Sequence, residues 1–148
     1  MKFIYTFIIL IMAGGIQAQG LSVKLNHIAV QVSDLNTSKN FYENIIGLRQ
    51  IPDPFNDDVH VWFNIGHSQL HLIESGTVEG DQDKNSHICF SVTNMEKFID
   101  RLEAANITYS DWPGKEGAVT TRPDGIKQIY FRDPDGYWIE VNDDFKLK

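Results

Sequence analysis

Three histidines and one glutamate stand where chemistry could use them: His27, His71, His87 and Glu140. Each lies in a short run that alternates apolar and polar residues, and side chains in a strand alternate faces with a period of two. In "HIAVQV" (27–32), Ile28, Val30 and Val32 share one face, and His27, Ala29 and Gln31 share the other. In "QLHLIE" (69–74), Leu70 and Leu72 oppose Gln69 and His71. In "HICFSV" (87–92), Ile88, Phe90 and Val92 oppose His87, Cys89 and Ser91. In "WIEV" (138–141), Ile139 and Val141 oppose Trp138 and Glu140. One face is therefore branched and apolar, and the other carries all four candidate residues. Imidazole nitrogen suits zinc, iron, nickel, copper or cobalt, and a carboxylate offsets the charge of the ion. His27, His87 and Glu140 alone would also form a two-His-one-carboxylate set suited to Fe(II). Taken singly, a histidine on a strand is ordinarily a satisfied core or surface residue, and no paired-cysteine zinc signature is present.

The elements that must position these residues come in two copies, and internal repeats govern how the rest is read. The first copy has a strand, then "SDLNTSKNFYENIIG" (33–47). Ser33, Asp34 or Asn36 can cap a helix there, and Gly47 ends it. Three short strand-like runs follow, "LRQI", "VHVWFNI" and "QLHLIE". The second copy repeats the order: "HICFSV", the helical "TNMEKFIDRLEAAN" stopped at Asn106, and then "ITYSDW", "KQIYFRD" and "GYWIEV" as strands. Each half reads β-α-β-β-β. This predicts an α+β fold in which two βαβββ modules, about 24–75 and 85–143, form a cupped eight-stranded mixed sheet with helices on the outer face. A pseudo-twofold pairing of the halves would bring His27 toward His87 and His71 toward Glu140. "DPDG" (133–136) is a turn signal, since Pro presets φ, Asp bonds local backbone and Gly accepts positive φ. The Gly/Pro-rich stretch 112–125 reads as a long binding loop.

The N-terminus follows a different logic. "MKFIYTFIILIMAGGIQAQG" has one early positive charge, an apolar run and small residues, which is the layout of a secretory signal peptide. The run is about half the roughly 20 residues needed to span a bilayer. Residues 1–18 are thus expected to be removed, leaving 19–148 as a single exported domain, periplasmic or secreted. Cleavage would remove Lys2 and no acidic residue, taking the net charge from −7 to −8. Such a surface repels phosphate backbones and anionic lipid, which argues against nucleic acid and membrane partners. Cys89 is the only cysteine, so no internal disulfide can form.

With these residues in view, the sequence resembles the vicinal oxygen chelate superfamily, which includes glyoxalase I, fosfomycin-resistance enzymes, extradiol dioxygenases and bleomycin-binding proteins. "NHIAVQVSDLNTSKNFYENIIGL" resembles the family's opening strand and helix, and "FRDPDGYWIEV" its closing motif. The resemblance implies metal ligands on the first, fourth, fifth and eighth strands, at His27, His71, His87 and Glu140, in agreement with the parity of the strands. It also implies a homodimer. One departure stands out: glyoxalase I commonly has a carboxylate where this chain has His71.

The expected cofactor is a divalent ion (Zn, Ni, Mn, Co or Fe) that chelates two neighbouring oxygens of a small molecule and acts as a Lewis acid. Glu140 could be a permanent ligand, or could also take a proton as the catalytic base. Trp62, Gln69 and Tyr130 share the inward parity and would wall the pocket, as aromatic residues commonly do. Arg122 and Lys127 could meet an anionic group. His60 shares the parity of Trp62, whereas His67 sits at a turn. The leading expectation is a metal-dependent lyase, isomerase or group transferase. The alternatives are a bleomycin-type binding or resistance protein and an Fe(II) ring-cleaving dioxygenase.

Overall fold

The alternation seen in the sequence sorts side chains into a buried layer and an open one. The computed structural model describes residues 21–146, and the expected signal peptide lies outside them. The first module comprises β1 (His27–Val32), α1 (Leu35–Asn40), β2 (Arg49–Ile51), β3 (His60–Ile65) and β4 (Ser68–Glu74). The second comprises β5 (His87–Ser91), α2 (Met95–Ala104), β6 (Thr120–Thr121), β7 (Lys127–Arg132) and β8 (Trp138–Asn142). The strand orders are β1-β4-β3-β2 and β5-β8-β7-β6, so the repeat in sequence is a repeat in topology. In each sheet the first and last strands of the module run parallel and the remaining pairs antiparallel. The eight strands fall into two four-stranded ladders, and β1 and β5 are each an edge strand. Among the described residues, no helix is long and apolar enough to cross a membrane.

The helices begin where their caps dictate. The Asp34 carboxylate accepts from Thr37 N at 2.7 Å and Asn94 Oδ1 accepts from Lys97 N at 2.8 Å, each satisfying a free N–H of the first turn. In α2, Met95, Phe98 and Leu102 face inward at helical spacing. α1 passes at Phe41 into a π-helical turn, Phe41–Ile46, which buries Phe41 and Tyr42 side by side. Gly47 closes it at φ 88°, a conformation that suits glycine. Phe41 and Phe98 both pack on Phe131 of β7, with ring centroids at 6.3 and 6.0 Å, so one core lies under both helices.

Two expectations need correction. "ITYSDW" forms no strand; Ser110 alone makes isolated bridges to Glu116 and Tyr130. The edge strand is instead Thr120–Thr121, inside the stretch read as loop, because the β-branched pair folds back on Lys127 and Gln128 across the 122–125 turn. The "DPDG" segment also does more than turn the chain. Asp133 accepts from the Tyr42 hydroxyl at 2.7 Å, and Asp135 accepts from Ser33 N and the Ser38 hydroxyl at 2.8 and 2.7 Å, so the turn clasps the other module.

Candidate metal centre

The polar faces of the two sheets hold the candidate ligands as two pairs. In the first module, His27 and His71 lie on the parallel strands β1 and β4, with ring centroids 6.0 Å apart. Trp62 is directly opposite His71 in register and stacks on it at 3.8 Å. His71 is 6% exposed, and its Nε2 is buried with no hydrogen-bond partner, as is Trp62 Nε1. Burial, followed by the nearby His60 and His27, holds the His71 pKa below its usual value, which favours the neutral imidazole that binds metals. His27 Nδ1 lies 2.7 Å from Asn26 Oδ1, an acceptor, so Nδ1 is the donor in this contact.

In the second module, Glu140 and Tyr130 are opposite in register, the repeat equivalents of His71 and Trp62. The Tyr130 hydroxyl donates to Glu140 Oε2 at 2.8 Å. Burial pushes the Glu140 pKa up, but bonds from Tyr130, Cys89 and Asn142 and the adjacent His87 outweigh it, and the net shift is downward. Tyr130 is pushed the other way, by burial and by Glu140 itself. Cys89 is open to solvent along part of its surface, yet its Sγ lies 3.3 Å from Glu140 Oε1. Desolvation and the Glu140 charge raise its thiol to about 12, so it is an inert neighbour of the site.

His87 supplies the sharpest observation. Its Nδ1 lies 2.8 Å from the Lys84 carbonyl, which can only accept, so Nδ1 must carry a proton. Nε2 then faces Glu140 Oε2 at 3.2 Å. Two lone pairs at that distance need a positive centre: a proton on Nε2, or a cation. Two ligands on a tetrahedral zinc at about 2.1 Å would stand about 3.4 Å apart, which this pair matches.

Among the described residues, no group of three or more His, Cys, Asp or Glu is close enough in one chain to hold an ion. The pairs formed are His27 with His71 and His87 with Glu140. β1 and β5 share no ladder, so no strand register joins His27 to His87 or His71 to Glu140. Each pair alone supplies two donors, fewer than the four of a structural zinc site or the three of a catalytic one. The donor types, the unpartnered His71 Nε2 and the 3.2 Å spacing of His87 Nε2 and Glu140 Oε2 fit a divalent ion.

The remaining candidates sort by surroundings. Gln69 is half-buried beside His27, its partner in register. Arg122 is tied to Asp124 at 2.6 Å across its own turn, and Lys127 to Glu96 at 3.3 Å. His67 is exposed at the β3–β4 turn. His60 is nearer to His71 than His27 is, at 5.0 Å between centroids, and binds both oxygens of Asp57. Its parity with Trp62 was the only signal of this in the sequence. Phe55 stands over His60 at 4.6 Å with 58% of its surface exposed, placed there by a loop whose local sequence does not specify a position.

Comparison with known proteins identifies the family. A family model described as "Glyoxalase/Bleomycin resistance protein/Dioxygenase superfamily" matches residues 24–141. Glyoxylase I 4 of Arabidopsis thaliana is 28% identical over 124 residues, spanning 79% of this chain and 68% of that protein. The metallothiol transferase FosB of Staphylococcus epidermidis is 30% identical over 125 residues, spanning 80% of each. In structure, the fosfomycin resistance protein FosX of Listeria monocytogenes superimposes with a TM-score of 0.67 at 21% identity, over 84% of this chain and 96% of that one.

Proposed function

The chain belongs to the Glyoxalase/Bleomycin resistance protein/Dioxygenase superfamily, and from that premise we propose that it is a divalent-metal-dependent enzyme acting on a small, oxygen-rich molecule as a lyase, isomerase or group transferase. His27, His71, His87 and Glu140 would hold the ion. Bound there, the ion supplies Lewis-acid polarisation of two neighbouring oxygens. The observation that carries this reading is the 3.2 Å spacing of His87 Nε2 and Glu140 Oε2, which suits two ligands of one ion, beside the buried and unpartnered Nε2 of His71. The relatives named as a glyoxylase, a lactoylglutathione lyase and a metallothiol transferase support the reaction classes.

The chain's own residues support a division of labour. Glu140 is kept ionised by the bonds it accepts, so it can take a proton from a carbon next to a chelated oxygen. Tyr130 and Asn142 restrain it through bonds of 2.8 and 3.2 Å. Trp62, Gln69 and Tyr130 form the walls. The division of the ligands into two pairs favours a homodimer in which His27 and His71 of one copy meet His87 and Glu140 of the other. The N-terminal pattern of charge and apolar residues favours export.

The test is metal content and mass of the purified protein. About one divalent ion per chain is expected, as four donors suit a single site, with loss of metal in His71→Ala and in Glu140→Gln. Mixed dimers of these two variants should regain one intact site. Full metal content in either variant overturns the ligand set, and a metal-loaded monomer overturns the shared site. Metal binding with no turnover of any chelating substrate would leave a protein that only sequesters its ligand.

A further inference from the structure

The inter-module linker is anchored to the second sheet at successive residues. The Asp81 carboxylate pairs with Arg132 at 2.9 Å, and the Gln82 carbonyl accepts from Trp138 Nε1 at 2.9 Å. Asp83 then forms a tight turn, accepting from Asn85 N through its side chain and from Ser86 N through its carbonyl. Lys84 is the centre of the arrangement. Its ammonium donates to the carbonyls of Asp111 and Trp112 at 2.8 and 3.1 Å. It also sits 4.4 Å from the ring of Tyr130, 4.8 Å from Trp138 and 5.4 Å from Trp112. No carboxylate lies within ion-pair distance of it among the described residues, so rings and carbonyls make its direct contacts.

The same residue meets the site through its backbone. The Lys84 carbonyl accepts His87 Nδ1–H at 2.8 Å. One residue thus joins the start of the 112–125 loop, the Tyr130 ring and the ring orientation of His87. From this we infer that Lys84 is a positioning residue: its caged ammonium pins the linker so that its carbonyl holds the His87 imidazole by Nδ1–H, with Nε2 turned toward Glu140. The fixed hydrogen bond selects which nitrogen is free to bind a cation and where it points, as outer partners of metal-bound histidines do. The inference rests on the reading of His87 as a ligand for its consequence, but not for the hydrogen bond.

Lys84→Met keeps the apolar stem and removes both donors and the charge, while Lys84→Arg keeps charge and donors. Trp138→Phe removes the donor that holds Gln82 and alters one ring of the Lys84 cage. Two readouts separate the claims. In metal-free protein, nitrogen NMR of His87 reports the ring state. In the second, Co(II) titration followed by its visible bands reports affinity. The wild type should show one His87 ring state, with Nδ1–H held in its hydrogen bond to the Lys84 carbonyl. Lys84→Met and Trp138→Phe should show exchange between His87 ring states and bind Co(II) about tenfold more weakly, and Lys84→Arg should restore both. An unchanged His87 spectrum in folded Lys84→Met overturns the inference. If wild-type protein binds no Co(II), the metal reading fails, and the NMR measurement still decides the role of Lys84.

Discussion

Replacing Tyr42 by phenylalanine removes one oxygen from a fully buried contact between the modules. The hydroxyl donates to Asp133 Oδ2 at 2.7 Å, and Tyr42 and Asp133 are 0% and 5% exposed. Oδ1 of the same carboxylate keeps its bonds from Asp135 N and Tyr137 N at 3.0 and 2.9 Å, but Oδ2 is left with none. The phenyl ring fills the space, so no cavity adds to the cost. A hydrogen bond to a charged group contributes about 1.5–3 kcal/mol. At roughly 2–4 °C per kcal/mol for a chain near this size, Tm should fall by roughly 4–8 °C for a 2 kcal/mol loss. Burial already raises the folded pKa of Asp133 above 3.8, so its ionisation opposes folding as pH rises through that raised value. Losing the Tyr42 hydroxyl raises it further. The penalty is therefore full at neutral pH and shrinks as acid protonates Asp133, being least below pH 3.8. Urea unfolding of Tyr42→Phe, Asp133→Asn and the double variant at pH 7 and pH 4 measures this coupling. A penalty under about 0.5 kcal/mol at pH 7, the range of an ordinary surface change, would refute the argument that this bond joins the modules.

His71 and Cys89 offer further checks. The His71 pKa is depressed below 6.5 by burial and by its neighbouring histidines, so the stability it confers is present above pH 6.5 and is lost as pH falls through its folded value. Unfolding midpoints of metal-free protein should therefore decline below pH 6.5, and His71→Leu should flatten that decline; parallel curves would contradict the assignment. With its thiol raised to about 12, Cys89 should be about one part in 10,000 thiolate at pH 8 and should alkylate slowly despite its exposure. Glu140→Gln removes an adjacent negative charge and should speed iodoacetamide labelling, whereas equal rates would show that Glu140 does not control the thiol.

The clasp at "DPDG" shows how far local sequence reaches. Pro134 and Gly136 announced a turn, because φ preferences belong to single residues. That Asp133 and Asp135 would grip Tyr42, Ser33 and Ser38 was not legible, since those partners lie about 90 to 100 residues away. The π-helical turn at Phe41–Ile46 and the shift of the edge strand to Thr120–Thr121 likewise depend on what packs against them.

Period-two alternation placed His27, His71, His87 and Glu140 on the faces they occupy, and the repeat in sequence set the same strand order in both sheets. Both follow from the chain's own stereochemistry, where successive side chains must point to opposite sides. Tertiary structure alone decided that the four residues form two pairs. Pairing of β1 with β5 would need hydrogen bonds between edge strands 60 residues apart, and no local pattern specifies which edges meet. It also brought His60 against His71 and Lys84 into a cage of three rings. Those contacts arise where separate elements converge; the parity of His60 with Trp62 was a trace of the first, and spacing along the chain carries none of the second.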